Sequence, residues 1–115
     1  MGQDSCIFCG ISKKEIPSTM LYEDHDLVAF RDIHPKAPVH FLVVPKKHVE
    51  DHLSLDKEDC HWIGKAHLVA NQLAKDLNIA DGFRIVINCK EKAGQTVGHF
   101  HMHVMGGRIF SWPPG

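Results

Sequence analysis

At 115 residues with 43% hydrophobic side chains, the chain holds material for one core but not for two, so a single domain over residues 1–115 is expected. Thirteen basic and fourteen acidic residues give a formal charge of −1 with no run of one sign, which speaks against a duplex nucleic-acid partner or an anionic membrane surface. No apolar run approaches the roughly 20 residues that span a bilayer and the N-terminus lacks a secretory pattern, so a soluble, cytoplasmic protein is the expectation.

The first predicted element is a short helical turn within "FCGISKKEI". It contains Cys6-Ile-Phe-Cys9, a Cys-x-x-Cys pair, whereas Cys60 and Cys89 stand alone. Without a sign of an oxidising compartment, metal binding, free thiols or a redox pair are the readings for it. "TMLYED" and "LVAFRDI" then read as strands around a turn at residues 24–26, and "HFLVVPKK" as a third strand after the loop "HPKAP". A long amphipathic helix follows. Trp62, Ile63, Ala66, Val69, Ala70, Leu73, Ala74 and Leu77 recur at three- and four-residue steps, with Asp56 as N-cap and Asn78 or Gly82 near the stop. "GFRIVIN" and "FHMHVMGG" complete the strands, and "RIFSWPPG" is extended because of its two prolines. About five strands with short connections predict an α+β fold with an antiparallel sheet.

The last strand poses the functional question. In "GHFHMHVMGG", His99, His101 and His103 alternate with apolar residues, so in extended chain the imidazoles share one face. Neighbours sit about 6.6 Å apart at the backbone and the outer two about 13 Å, too far for one metal without bending. A neutral imidazole can instead attack an electrophile with one nitrogen while the other donates to a fixed acceptor. Phosphorus suits this chemistry. The preceding Gly94, Gln95 and Thr96 offer backbone amides, a carboxamide and a hydroxyl to non-bridging oxygens. Asp32, just before "HPKAP", can cap that turn.

"GQTVGHFHMHVMGGR" resembles the signature of the histidine triad (HIT) family, and "GGRIFSWPPG" is similar to its nucleotide-binding (Hint) branch. The similarity runs from "EIPSTMLYED" through "AFRDIHPKAPVHFLVVPKKH" to the end of the chain. It implies a HIT-like homodimer in which two sheets join across a two-fold axis. It also implies hydrolysis of purine nucleoside 5′-phosphoramidates through a covalent nucleotidyl-histidine. His101 matches the nucleophile, His103 the histidine beside a phosphate oxygen, and His99 with His40 a polar relay. Asn88, Gly94 and Thr96 match phosphate contacts, Asp32, Ile33 and Phe30 the ribose and base positions, and Phe8 and Ile11 the base pocket. Trp112 matches the leaving-group side, from its own or the other subunit, or an interface anchor. Some relatives complete a structural zinc site with the counterparts of Cys6, Cys9, His48 and His99. Thr96 stands where many relatives carry serine, and Gly98 where a bulkier residue is common. Competing readings are a dinucleoside polyphosphate hydrolase, which the "SWPPG" tail opposes, a binding or scaffold module with vestigial catalysis, and a metal-dependent enzyme. Against the last, no acidic residue lies among the triad histidines in the sequence.

Overall fold

The computed structural model describes residues 6–115. In chain order these form α1 (Ile7–Ser12), β1 (Met20–Glu23), β2 (Leu27–Arg31), β3 (Val39–Pro45), α2 (Cys60–Asp76), β4 (Phe83–Val86) and β5 (Met102–Gly106), with three short 3-10 turns between them. The strands make one antiparallel sheet in the order β1-β2-β3-β5-β4. The α+β architecture with one long helix is therefore as expected.

Alternation along the strands explains both layers. Leu27 and Ala29 of β2, Phe41 and Val43 of β3, and Met102 and Val104 of β5 face α2, packing on Trp62, Ala66, Ala70 and Ala74. Val28, Phe30, Leu42 and Val44 point the other way and meet Phe8 and Ile11 of α1. Leu42 pairs with His103, so the second face carries the histidines.

Local chemistry sets the boundaries. Asp24 Oδ1 accepts from the amides of Asp26 and Leu27, which makes the β1–β2 turn. Asp56, expected as the cap of α2, caps the 3-10 turn Lys57–Asp59 instead, in a reciprocal capping box with Asp59. Asp59 precedes α2, and its buried carboxylate accepts from Lys47 Nζ and Trp62 Nε1 at 2.9 Å each. The ladder between β3 and β5 starts at Val43 and Met102. Continued, the register would set Val44 against His101 and Pro45 against Phe100, but Pro45 has no N–H to give, the Phe100 amide donates to the Val49 carbonyl instead, and the Pro45 carbonyl accepts from the His99 ring at 2.8 Å. His99 and His101 consequently precede the strand rather than lie on it, a correction to the expected single row.

Candidate active site

The sheet face under α1 holds His40 from β3, His103 from β5 and His101 from the run just before β5. His40 is 4% exposed and His101 5%, and the His101 and His103 ring centroids lie 4.9 Å apart. Buried imidazoles must have their hydrogens placed, and the surrounding bonds place them. The Lys36 amide donates to His40 Nδ1 at 2.9 Å, so His40 carries its hydrogen on Nε2. That Nε2–H donates to His103 Nδ1 at 3.0 Å, with Asp32 Oδ2 at 3.4 Å. His103 is thereby left with a donor at Nε2. His101 Nδ1–H donates to the His99 carbonyl at 2.7 Å, which leaves a lone pair on its Nε2.

Burial, which disfavours the cation, lowers all three below the ordinary histidine range. His103 falls to about 4 from burial and then from His101 and His40. His101 is lowered mainly by burial, and so is His40 despite the nearby Asp32 carboxylate. The array is neutral at neutral pH: one free lone pair at His101 and one N–H at His103.

The His101 and His103 rings line a cleft of about 380 Å³ together with Phe8, Ile11, Phe30, Asp32, Ile33 and Thr96, and His40 stands behind His103. Eight of the expected residues thus share one cavity. Phe8 stands edge-on to both Phe30 and His101, at 5.6 and 5.0 Å between centroids. Ile33 is 78% exposed at the rim. The cleft also takes Ile16, Pro17 and Ser18, which precede β1 and carry no sequence signal for it. Asp32 lies beside His40 and His103, so an acidic residue does join the histidines, contrary to the sequence reading. Its Oδ1 accepts from the His34 amide at 2.8 Å, the turn-capping role, while Oδ2 faces His40.

Four expected residues lie elsewhere. Asn88 and Trp112 line a separate groove along β4, with Trp112 83% exposed. Gly94 sits at φ 96 in open space at the end of the 3-10 turn Glu91–Ala93. Gln95 is turned into the loop backbone: its Oε1 accepts from Lys90 N at 2.7 Å and its Nε2 donates to the carbonyls of Glu50 and Val97. With both N–H groups so engaged, it offers none to a phosphate, a correction to its expected role.

The His99 ring departs from the relay as well. Its Nε2–H donates to the Pro45 carbonyl, and its Nδ1 faces Cys6 Sγ at 3.3 Å and Cys9 Sγ at 3.5 Å. His48 Nδ1 lies 3.2 Å from Cys9 Sγ. The ligand atoms of Cys6, Cys9, His48 and His99 all lie within 4.8 Å of one another, and two sulfurs with two imidazole nitrogens match a tetrahedral ion. The Pro45 bond selects the His99 tautomer whose lone pair points inward, as a ligand needs. Asp32, His40 and His103 also converge within 4.8 Å, but there the Lys36 amide forces a hydrogen onto His40 Nε2. A donor stands where a cation would need a lone pair. Among the described residues, the cysteine cluster fits a metal and the histidine array fits proton and nucleophile chemistry.

The HIT domain family model matches residues 13–109. An uncharacterized HIT-like protein of Synechocystis sp. is 47% identical over 115 residues, covering 100% of both chains. A HIT family hydrolase from Legionella pneumophila superposes with a TM-score of 0.94 at 40% identity, over 96% of this chain and 100% of that one. A histidine triad protein from Clostridium difficile gives 0.91 at 40% identity, over 96% and 97%.

Proposed function

The chain belongs to the HIT domain family, and on that premise we propose that it is a nucleotidyl hydrolase of the nucleotide-binding (Hint) branch, converting purine nucleoside 5′-phosphoramidates to nucleoside monophosphates in the cytoplasm. One observation carries the reading: the His99 carbonyl fixes the His101 hydrogen on Nδ1, so a neutral ring keeps its Nε2 lone pair free beside a cleft walled by aromatic and aliphatic side chains. The Legionella pneumophila relative is described as a hydrolase, which agrees.

In the first step, His101 Nε2 attacks phosphorus and forms an N–P bond. The bond from phosphorus to the leaving amine breaks, its electron pair stays with the amine, and the amine takes up a proton from water. In the second step, water attacks phosphorus and gives a proton to the hydroxide left by the first, the N–P bond to His101 breaks with its electron pair returning to Nε2, and the monophosphate leaves with His101 neutral again. The His103 Nε2–H donates to a non-bridging oxygen, its direction fixed by His40 on the opposite nitrogen. The Thr96 hydroxyl, exposed on the cleft wall, donates to another. Phe8, Ile11 and Phe30 receive the purine, and the Asp32 carboxylate accepts from the ribose.

Cys6, Cys9, His48 and His99 would hold one zinc ion, which supplies a structural cross-link between α1 and the sheet. A homodimer is proposed on the open outer edge of β4, beside which Ile109 is 94% and Trp112 83% exposed. A second copy there would give Asn88 and Trp112 a neighbour beyond their own chain.

The test is release of AMP from adenosine 5′-phosphoramidate by the folded, zinc-replete protein, compared with His101→Asn. Turnover by the first and a drop of about a thousandfold in the second, with AMP binding retained, are expected for loss of a covalent nucleophile. AMP binding without any turnover by the native protein would replace the enzyme with a binding module.

A further inference from the structure

We infer that Gln95 is a positioning residue that sets the phosphate-side loop against the nucleophile; this rests on the function proposed above. Its side-chain amide ties three backbone segments together. Oε1 accepts from Lys90 N at 2.7 Å, and Nε2 donates to Glu50 O at 2.8 Å and Val97 O at 3.0 Å. Lys90 sits at φ 71, a region that L side chains rarely adopt. The bond at its own amide and the Lys90 Nζ to Asp51 Oδ2 pair at 2.8 Å hold it there.

The other end of the clamp gives it meaning. His48, Val49 and Glu50 are consecutive, and each anchors a different part of the site. His48 faces Cys9 in the cysteine–histidine cluster. The Val49 carbonyl accepts from the Phe100 amide at 2.6 Å, between His99 and His101. The Glu50 carbonyl takes Gln95, next to Thr96. One short segment therefore serves as the common reference for the nucleophile run and for the loop that carries the Thr96 hydroxyl. Thr96 and Val97 also form the wall between the nucleotide cleft and a groove beside Cys6 and His48. Gln95 acts through this wall and not on the substrate.

Gln95→Ala and the similarly shaped Gln95→Met remove the three bonds and leave the substrate contacts intact. With adenosine 5′-phosphoramidate, both variants are expected to lose at least about tenfold in kcat, with KM within about threefold, because a displaced donor costs rate more than binding. In a Thr96→Ala background the same changes are expected to cost less than about threefold, since the hydroxyl being positioned is gone. Hydrogen exchange of residues 90–98 is expected to quicken while α2 stays protected. Losses that multiply in the double variant would assign Gln95 to direct substrate contact and overturn the inference. So would unchanged exchange in 90–98, a result that decides the clamp even if the native protein hydrolyses nothing and the functional proposal fails.

Discussion

Three imidazoles in this chain are held by three different acceptors or donors, and the differences decide what each can do. His40 has its Nδ1 occupied by a backbone amide, His101 its Nδ1 hydrogen by a backbone carbonyl, and His103 takes a hydrogen from His40. The triad spacing was legible in the sequence. The direction of the His99 ring was not, because it depends on Pro45 and on two cysteines some 90 residues away in the chain. Gln95 was misread for a related reason: a carboxamide in a Gly-Gln-Thr run looks the same whether it meets a phosphate or its own backbone. A pH dependence follows from His103, half-buried among His40, His101, Asp32 and Lys36 and lowered to about 4. An unfolded histidine titrates near 6.5, so between about 6.5 and 4 the unfolded chain binds more protons. The contribution is present above this window and lost as pH falls through it, at up to about 1 kcal/mol per pH unit for each such group. Urea unfolding from pH 7.5 to 4.5 should show His103→Asn losing stability less steeply than the native protein; parallel slopes would contradict this.

At the scale of elements, α2 was the most readable because its apolar residues keep helical steps, and six of the eight expected are buried in it. Its start was misassigned by one turn. Asp56 and Asp59 both satisfy a capping pattern, and only the packing shows that Asp59 holds Lys47 and the buried Trp62 indole while Asp56 caps the preceding turn. Burial alone would raise the Asp59 carboxyl, yet Lys47, the Asp56 amide and Trp62 outweigh it and hold it below the usual range. Asp59→Ala strands a buried indole N–H and is expected to cost about 1–3 kcal/mol. Asp56→Ala loses a cap and should cost about 1 kcal/mol. Denaturant midpoints of the two variants give the order directly, and a larger loss at Asp56 would mean that the Asp59 contacts are not the stronger tie. The start of β5 was unreadable for a local reason: the alternating sequence begins at His99, but the ladder begins only at Met102, because Pro45 has no N–H to give and the Phe100 amide turns to Val49.

The whole molecule joins two faces of one sheet with different tasks. The α2 face is an apolar core, while the α1 face carries the cleft and the cysteine cluster. The fold class and the single sheet could be inferred from strand count and connection length, but not the order β1-β2-β3-β5-β4, which depends on tertiary pairing. That order sets β3 beside β5 and so brings His40 to His103. It also leaves β4 at an edge. The four residues that could hold a metal come from α1 and its N-cap, the segment after β3 and the run before β5, so an ion would close long loops at once. About one zinc per chain is expected by elemental analysis of protein purified without chelator, with less than half an equivalent in Cys9→Ser and a lower thermal midpoint for that variant. Metal contents equal in the two proteins would remove the cluster from the account.

In the proposed reaction His101 Nε2 becomes covalently joined to phosphorus. The most direct measurement is rapid mixing of the native protein with adenosine 5′-phosphoramidate, quenching at alkaline pH, where a phosphorus–nitrogen bond to imidazole survives, and peptide mass spectrometry. An adenylyl group on His101, absent from His101→Asn, is the expected result. AMP released at the native rate with the label on His99, on His103 or on no histidine would contradict it.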